Sequence, residues 1–268
     1  MYSKLKDLNR RMKPYKRALS EKLNVGLTTR KRLNELRSFE RAHVAMMEGG
    51  LVDSIQCEFN SKFVQAFKRS RSQLMQDLFV LTKTDFKQNG YFVEFGATNG
   101  VDLSNTYLLE KDFNWDGILA EPAKNWHEDL KSNRTAKIET DCVWKESGKT
   151  LKFNETPEGE LSTIDLFSKF DRHSRNSGNV YEVNTISLND LLKKHNAPDE
   201  IDCLSIDTEG SEFEILSAFD FDAYNIKIIT CEHNYTENRD KIQNLLEAVG
   251  YRRVLLETSK FDDWYVRE

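Results

Sequence analysis

Five short apolar runs in this chain end on acidic or glycine-rich punctuation, and helical patterns separate them. No other feature constrains the fold as much. The runs close at Glu94/Gly96, at Glu121, near Asp141, at Asp207/Glu209 and at Glu232/His233. Strand-like segments alternating with amphipathic helices imply a mostly parallel sheet with helices on both faces, joined by right-handed crossovers. Such α/β sheets bind ligands at the C-terminal ends of their strands. All five polar clusters fall at that edge, so the sequence predicts one shared site there.

The first run is the most informative. Tyr91–Gly100 reads YFVEFGATNG, a buried strand turning sharply into a glycine loop. Glycine permits the tight turn and a close approach to a ligand. The spacing is E-x-G-x-x-x-G, a nucleotide-type cofactor pattern, and it differs from the G-x-G-x-x-G of dinucleotide binders. One strand–helix–strand unit later, Trp115–Glu121 ends on Glu121-Pro122. A carboxylate there can accept both hydroxyls of a ribose.

Local patterns fill in the rest. A helix is expected over Val101–Phe113, with Leu103, Tyr107 and Leu108 on its inner face. Ala136–Trp144 reads as one strand. Residues 145–178, with four glycine or proline breaks and the polar run DRHSRNSGN, read as a loop-rich insert serving as a substrate lid. Ser187 is the expected N-cap of the next helix, with Asp190 three residues on, and Ser211–Glu214 reads as a capping-box start. Tyr251–Glu257 and Trp264–Arg267 form a closing hairpin. His43, His127, His173 and His195 have no partners at metal spacing and read as surface residues.

Charge divides the chain. Residues 1–45 carry thirteen Lys/Arg and four Asp/Glu, a balance of +9 within a net charge of −5. Residues 1–53 therefore read as a basic helical extension before an acidic body at 54–268. The extension either packs on the body or a second copy, giving a homo-oligomer, or is drawn to an anionic surface such as membrane, glycan or nucleic acid. No apolar run approaches the ~20 residues of a membrane span. The basic N-terminus has no apolar core or cleavage site of a secretory signal. Cys57, Cys142, Cys203 and Cys231 show no C-x-x-C spacing, which reads as reduced thiols in a cytoplasmic protein.

From about Ser72 to Glu268 the chain resembles the FkbM-type methyltransferases. The matching pieces, in family order, are Ser72-Gln73-x-x-Gln76-Asp77, Phe92–Gly100, Ser104–Glu110, Gly117–Pro122, Leu161–Ile164, Ile206–Glu212, Glu232–Asn234 and Asp262–Val266. The resemblance implies a Rossmann-like class I fold dependent on S-adenosylmethionine (SAM). Its sheet is mostly parallel and seven-stranded with a C-terminal antiparallel hairpin, in agreement with the closing strand pair. It also implies methylation of hydroxyls, often on saccharides or glycans. By position, Glu94, Gly96, Ala97, Asn99 and Gly100 would hold the methionine end of SAM, and Glu121 the ribose. Asp141 and Cys142 would line the adenine pocket. Asp207 would stand beside the sulfonium, and Ser72, Gln73 and Asp77 would close over the cofactor. Ser162, Thr163 and Glu209 would face the acceptor. The family often has Gly where this chain has Met75.

A sugar hydroxyl is a very weak acid, so its methylation needs a general base or a metal ion. The candidates are Asp207, Glu209, Glu232 and His233. Asp207 and Glu232 could hold Mg²⁺ through oxygen. His233 could instead act as base, or Glu232-His233 could only hydrogen-bond cofactor loops. Glu209 has an independent reason to sit near a helix N-terminus, because the dipole favours it. Two rival functions are an NAD-type oxidoreductase, disfavoured because the glycine spacing gives no pyrophosphate turn, and a catalytically silent module acting through its basic N-terminus.

Overall fold

A computed structural model describes residues 57–157, 159–169, 175 and 177–268. These residues belong to one unit, Ala42–Glu268. The basic extension at 1–53 and its anionic-surface or oligomer role lie outside them, as do His43 and His173. Among the described residues no helix is long and apolar enough to cross a membrane.

Helices α1 (Cys57–Arg69) and α2 (Gln76–Lys83) precede β1 (Tyr91–Phe95). Then come α3 (Tyr107–Phe113), β2 (Asp116–Ala120), α4 (His127–Asn133) and β3 (Lys137–Glu139). Strands β4 (Cys142–Trp144), β5 (Thr150–Glu155), β6 (Thr163–Ile164) and β7 (Asn179–Ser187) follow. The chain continues through α5 (Leu188–Lys194), β8 (Glu200–Ile206), α6 (Glu212–Ser217), β9 (Asn225–Glu232) and α7 (Asn238–Ala248). It closes with β10 (Tyr251–Val254), α8 (Leu256–Ser259) and β11 (Asp262–Arg267).

Seven strands form one sheet in the order β10-β11-β9-β8-β1-β2-β3. All its pairings are parallel except those of β11, which is antiparallel to both β9 and β10. Strand order reverses where β1 meets β8, and a crevice opens at such a switch point. Both strands are buried on both faces, which explains their continuous apolar runs. Val93, Phe95, Ile118, Leu204, Ile206 and Ile229 share one core with helix residues such as Leu191, Leu216 and Leu246. Fully burying such a side chain contributes about 1.5–3 kcal/mol.

Four local expectations differ from the structure. The helix after the glycine loop starts at Tyr107 rather than Val101, and Leu103 is 38% exposed in a left-handed conformation rather than facing inward. The Glu94 carboxylate causes this, because it holds the Asn105 amide and the Ser104 and Thr106 hydroxyls in a non-helical turn. Ala136–Trp144 is two strands. Glu139 Oε1 accepts the Thr140 and Asp141 amides and turns the chain out of the large sheet. The insert is partly regular, since β4, β7, β5 and β6 make a second sheet with its own core of Trp144, Phe153, Ile164, Phe167 and Val183. Ser187 caps α5 through Asp190 N as expected, but Ser211 makes no side-chain cap. Instead Glu212 Oε1 accepts the Thr208 and Gly210 amides and shapes the turn ahead of α6.

Candidate active site at the β1–β8 crevice

The glycine loop is pressed against the end of β8. Gly96 has φ +74°, and a Cβ there would lie 2.1 Å from the Asp207 carbonyl oxygen. Backbone conformation and space therefore both demand glycine. The Gly96 and Ala97 amides reach Ala120 O at 3.1 and 3.3 Å. Thr98 N donates to Glu121 Oε2 and Ala123 N to Glu121 Oε1, each at 2.8 Å. Glu121 thus joins the loop to the end of β2. Burial pushes its carboxyl up to about 7, against the pull of these two amides. Each oxygen keeps a lone pair for a donor such as a ribose hydroxyl. His127 does not stand free at the surface, because its Nε2 lies 2.9 Å from Glu121 O. Asn99 folds the loop on itself, its Oδ1 accepting from the Val101 and Asp102 amides.

Glu94 is at the mouth of the loop but its carboxylate is engaged by the chain itself. Beyond Ser104, Asn105 and Thr106, it lies 3.7 Å from the Arg134 guanidinium. Arg134 is buried, and also binds Glu110 (2.7 Å), Gly100 O, Ser104 Oγ and Thr106 Oγ1. Burial opposes ionisation of Glu110, yet Arg134, Lys111 and the Thr135 amide bring its carboxyl down to about 2. Arg134 drew no attention in the sequence, since no motif contains it.

The Ser72–Asp77 block fastens α2 to the sheet. Asp77 Oδ1 accepts from the Ser70 and Ser72 hydroxyls and the Leu78 amide. Burial raises the Asp77 carboxyl to about 6. Gln76 Nε2 donates to Asp262 Oδ2 at 2.7 Å, and Phe79 stacks on Trp264. Gln73 alone of the three expected closing residues is partly exposed; Ser72 and Asp77 are buried. Met75 is fully buried at φ 68°, ψ 34°, the left-handed region where glycine is at ease.

The ends of β8 and β9 form an acidic wall. Carboxylate oxygens of Asp207, Glu209 and Glu232 lie within 4.8 Å of one another. Asp262, on β11, is the register partner of Glu232. Burial raises Asp207 to about 6, while a hydrogen bond from Glu232 acts the other way. Burial and then Asp207 hold Glu232 well above the carboxylate range. Burial and Asp207 lift Asp262 to about 8. The Glu232 Oε2 atom is buried without a hydrogen-bond partner. Among the described residues, Asp207, Glu232 and Asp262 have no basic partner.

His233 is buried, and burial lowers its pKa despite Asp263. Its Nδ1 accepts the Tyr235 amide at 2.9 Å. The neutral ring therefore carries its proton on Nε2 and offers no lone pair there for a base. Nearby Asp263 is held by Arg239 in bidentate fashion and by Arg253.

The second sheet supplies the opposite wall. Thr163 Oγ1 donates to Glu209 O at 3.0 Å, and Phe167 fills the space over Gly210. Arg175, buried, donates to Glu209 Oε2 at 2.6 Å and from Nε to Leu161 O, also at 2.6 Å. Asn234 Nδ2 reaches the same Glu209 oxygen at 3.2 Å. Ser162 is less involved, its hydroxyl accepting the Thr156 amide within the insert. Asp141 and Cys142 stand where the chain leaves the large sheet. Asp141 is partly exposed near Lys194, and burial drives the Cys142 thiol up to about 12. The sequence hid Arg175 inside a polar run that reads as loop.

The strand order, the antiparallel β11 and the glycine loop at the switch point define a Rossmann-like methyltransferase fold. The Methyltransferase FkbM domain matches residues 94–253, and the chain belongs to that family. Among curated proteins none matches it. A solved structure, precorrin-6Y C5,15-methyltransferase from Geobacter metallireducens, is similar at 14% identity with a TM-score of 0.38. That likeness covers 66% of this chain and 71% of that one.

Proposed function

We propose that this methyltransferase transfers the methyl group of SAM to a saccharide hydroxyl, with Asp207 taking the hydroxyl proton. The observation that carries the reading is the contact of Gly96 with Asp207, which brings the cofactor loop and the acidic wall to one point. Bound there, SAM supplies a methyl group already activated by its sulfonium. Gly96, Ala97, Asn99 and Gly100 give the methionine end a close backbone surface. Glu121 offers lone pairs to the ribose, and Asp141, Cys142 and Gln73 flank the adenine and the rim. Glu94 acts one step back, by fixing the loop.

Asp207 suits a proton acceptor because its raised pKa lies near neutrality while it stays ionised at pH 7. Glu232 holds the shared proton. His233 contributes a fixed N–H rather than a base. Glu209 and Thr163 face the acceptor across the second sheet. Three buried free cysteines, Cys142, Cys203 and Cys231, support a reducing, cytoplasmic setting.

Calorimetry with SAM and NADH tests the cofactor, and binding of NADH in place of SAM defeats the reading. In a methyl-transfer assay over saccharide acceptors, Asp207→Asn should lower kcat by about 10²–10⁴. Unchanged turnover removes Asp207 from that role. A second reading is favoured by the three clustered oxygens, with Mg²⁺ held by Asp207, Glu232 and Glu209. Turnover that survives excess EDTA excludes it.

A further inference from the structure

One turn at the crevice rim holds a residue that its backbone does not favour. Strand β9 ends at Glu232, and the chain reverses over His233–Thr236, closed by the Thr236 amide on His233 O at 2.8 Å. The two central residues both have positive φ, Asn234 at 45° and Tyr235 at 58°. That is the pattern of a type I′ turn, which favours Asn followed by Gly. Asparagine suits the first place. A bulky side chain at the second is an outlier. Met75 and Phe86 also have positive φ, but both are buried and held there by packing. Tyr235 is 56% exposed, and of the large apolar side chains exposed among the described residues it alone is aromatic.

The surroundings fix this turn in place. His233 Nδ1 accepts the Tyr235 amide at 2.9 Å, and the Thr236 hydroxyl donates to His233 O at 2.8 Å. The His233 and Asn234 amides both reach Phe261 O, at 2.8 and 3.2 Å. The His233 and Tyr235 rings meet edge to face, with centroids 5.3 Å apart and planes at 77°. Asn234 Nδ2 donates to Glu209 Oε2 at 3.2 Å, which ties the turn to the loop that follows Asp207. The same Glu209 oxygen binds Arg175 of the insert. Tyr235 therefore stands on the crevice rim, next in the chain to a contact that joins the β8 end, the β9 end and the insert. Strained backbone that a fold fixes so firmly, with its side chain left in solvent, points to a functional position.

The chemistry of the ring says what it would take. An aromatic face is apolar and electron-rich. A pyranose carries several C–H groups on one face, made slightly positive by the neighbouring oxygens. The two surfaces fit by stacking, and a tyrosine with two side-chain torsions gives up little freedom to do so. The carboxylates deeper in the crevice can address a hydroxyl but offer no surface to a ring. We infer that the Tyr235 ring is a stacking platform for a pyranose ring of the acceptor and so a specificity-determining residue of the methyl transfer. The inference rests on the saccharide reading above and deepens it.

The test measures methyl transfer by the full chain over a panel of methyl pyranosides, oligosaccharides, phenols and serine peptides, then kcat and KM with the best saccharide. Glycine is at ease in this turn, so Tyr235→Gly should melt at the same temperature as the unmodified chain or higher. Its acceptor KM should nevertheless rise by about tenfold. The kcat and the affinity for SAM should stay within about twofold, as expected when binding common to ground and transition states is lost. Tyr235→Leu keeps bulk without an aromatic face and should show the same rise in KM. Tyr235→Phe keeps the face and should hold KM within about twofold. An unchanged KM in both the Gly and Leu variants overturns the inference and leaves the saccharide reading intact. A Phe variant as impaired as the Leu variant also overturns it, in favour of the hydroxyl. Methylation of phenols or peptides with no saccharide turned over defeats the saccharide reading itself.

Discussion

Two groups of buried acids occupy the same edge of the large sheet, and they differ in one respect. Glu94 and Glu110 close around Arg134, which is buried with them and satisfies both along with the loop that follows β1. Asp207, Glu232 and Asp262, one, two and three strands away on the other side of β1, have no such cation among the described residues. The first group has its counter-ion in the sequence and so belongs to the structure. The second lacks one and keeps its charge low by protonation instead, which is why burial and its neighbours raise all three carboxyls.

That contrast can be broken by experiment. The largest effect should come from Arg134→Met, which strands two buried carboxylates. Urea denaturation should show a loss of about 3–5 kcal/mol, and a loss under 1 kcal/mol would mean the first group is not held by its arginine. Glu94→Gln should cost about 1.5–3 kcal/mol by the same measurement, since the charge-assisted bonds to Ser104, Asn105 and Thr106 weaken. Across the crevice the sign should reverse. Asp262→Asn should leave the ligand-free protein as stable or more stable by about 1 kcal/mol, because it removes a carboxyl that burial forces to stay protonated and can keep the bond to Gln76. A clear destabilisation would show that the second group is balanced too.

The smallest effect concerns pH, and it also separates the groups. Glu110 has a folded pKa near 2, below its unfolded value. Its contribution is present above the unfolded pKa of about 4.5 and is lost as pH falls toward 2. Asp207 and Asp262 have folded pKa values near 6 and 8, above their unfolded values. Their ionisation weakens the ligand-free fold as pH rises from about 4 to 8. The melting temperature should therefore decline from pH 6 to pH 8. A melting temperature that stays flat over that interval would show that the fold does not hold these carboxyls protonated.

The sequence made the second group visible and the first nearly invisible, for a physical reason. Asp207, Glu209 and Glu232 end apolar strands, and strand ends can be read from periodicity. Arg134 ends a short helix, and its partners come from three separate segments. Nothing in one chain's spacing brings Arg134 and Glu94 together. The same holds for Arg175, whose polar neighbours read as loop although its side chain is buried. The strand alternation and the closing antiparallel pair were legible because burial on both faces imposes continuous apolar runs. The second sheet was not, because β6 is only two residues long and β5 is partly exposed, and glycine and proline lie between them. Met75 shows a third kind of limit. The left-handed turn before α2 favours glycine by about 1–2 kcal/mol. Here a buried methionine offsets that cost by packing, which no local rule foresees.

The 2.1 Å that a Cβ on Gly96 would leave to the Asp207 carbonyl has a consequence for how such an enzyme can change. The two loops are interlocked, so neither can be lengthened or reshaped without displacing the other. If the acceptor lies where proposed, variation in what is modified is channelled into the insert of the second sheet, which reaches the crevice through Thr163, Phe167 and Arg175 and has its own small core. The fold thus puts the two strand-end loops under one mechanical constraint and leaves the second sheet free of it.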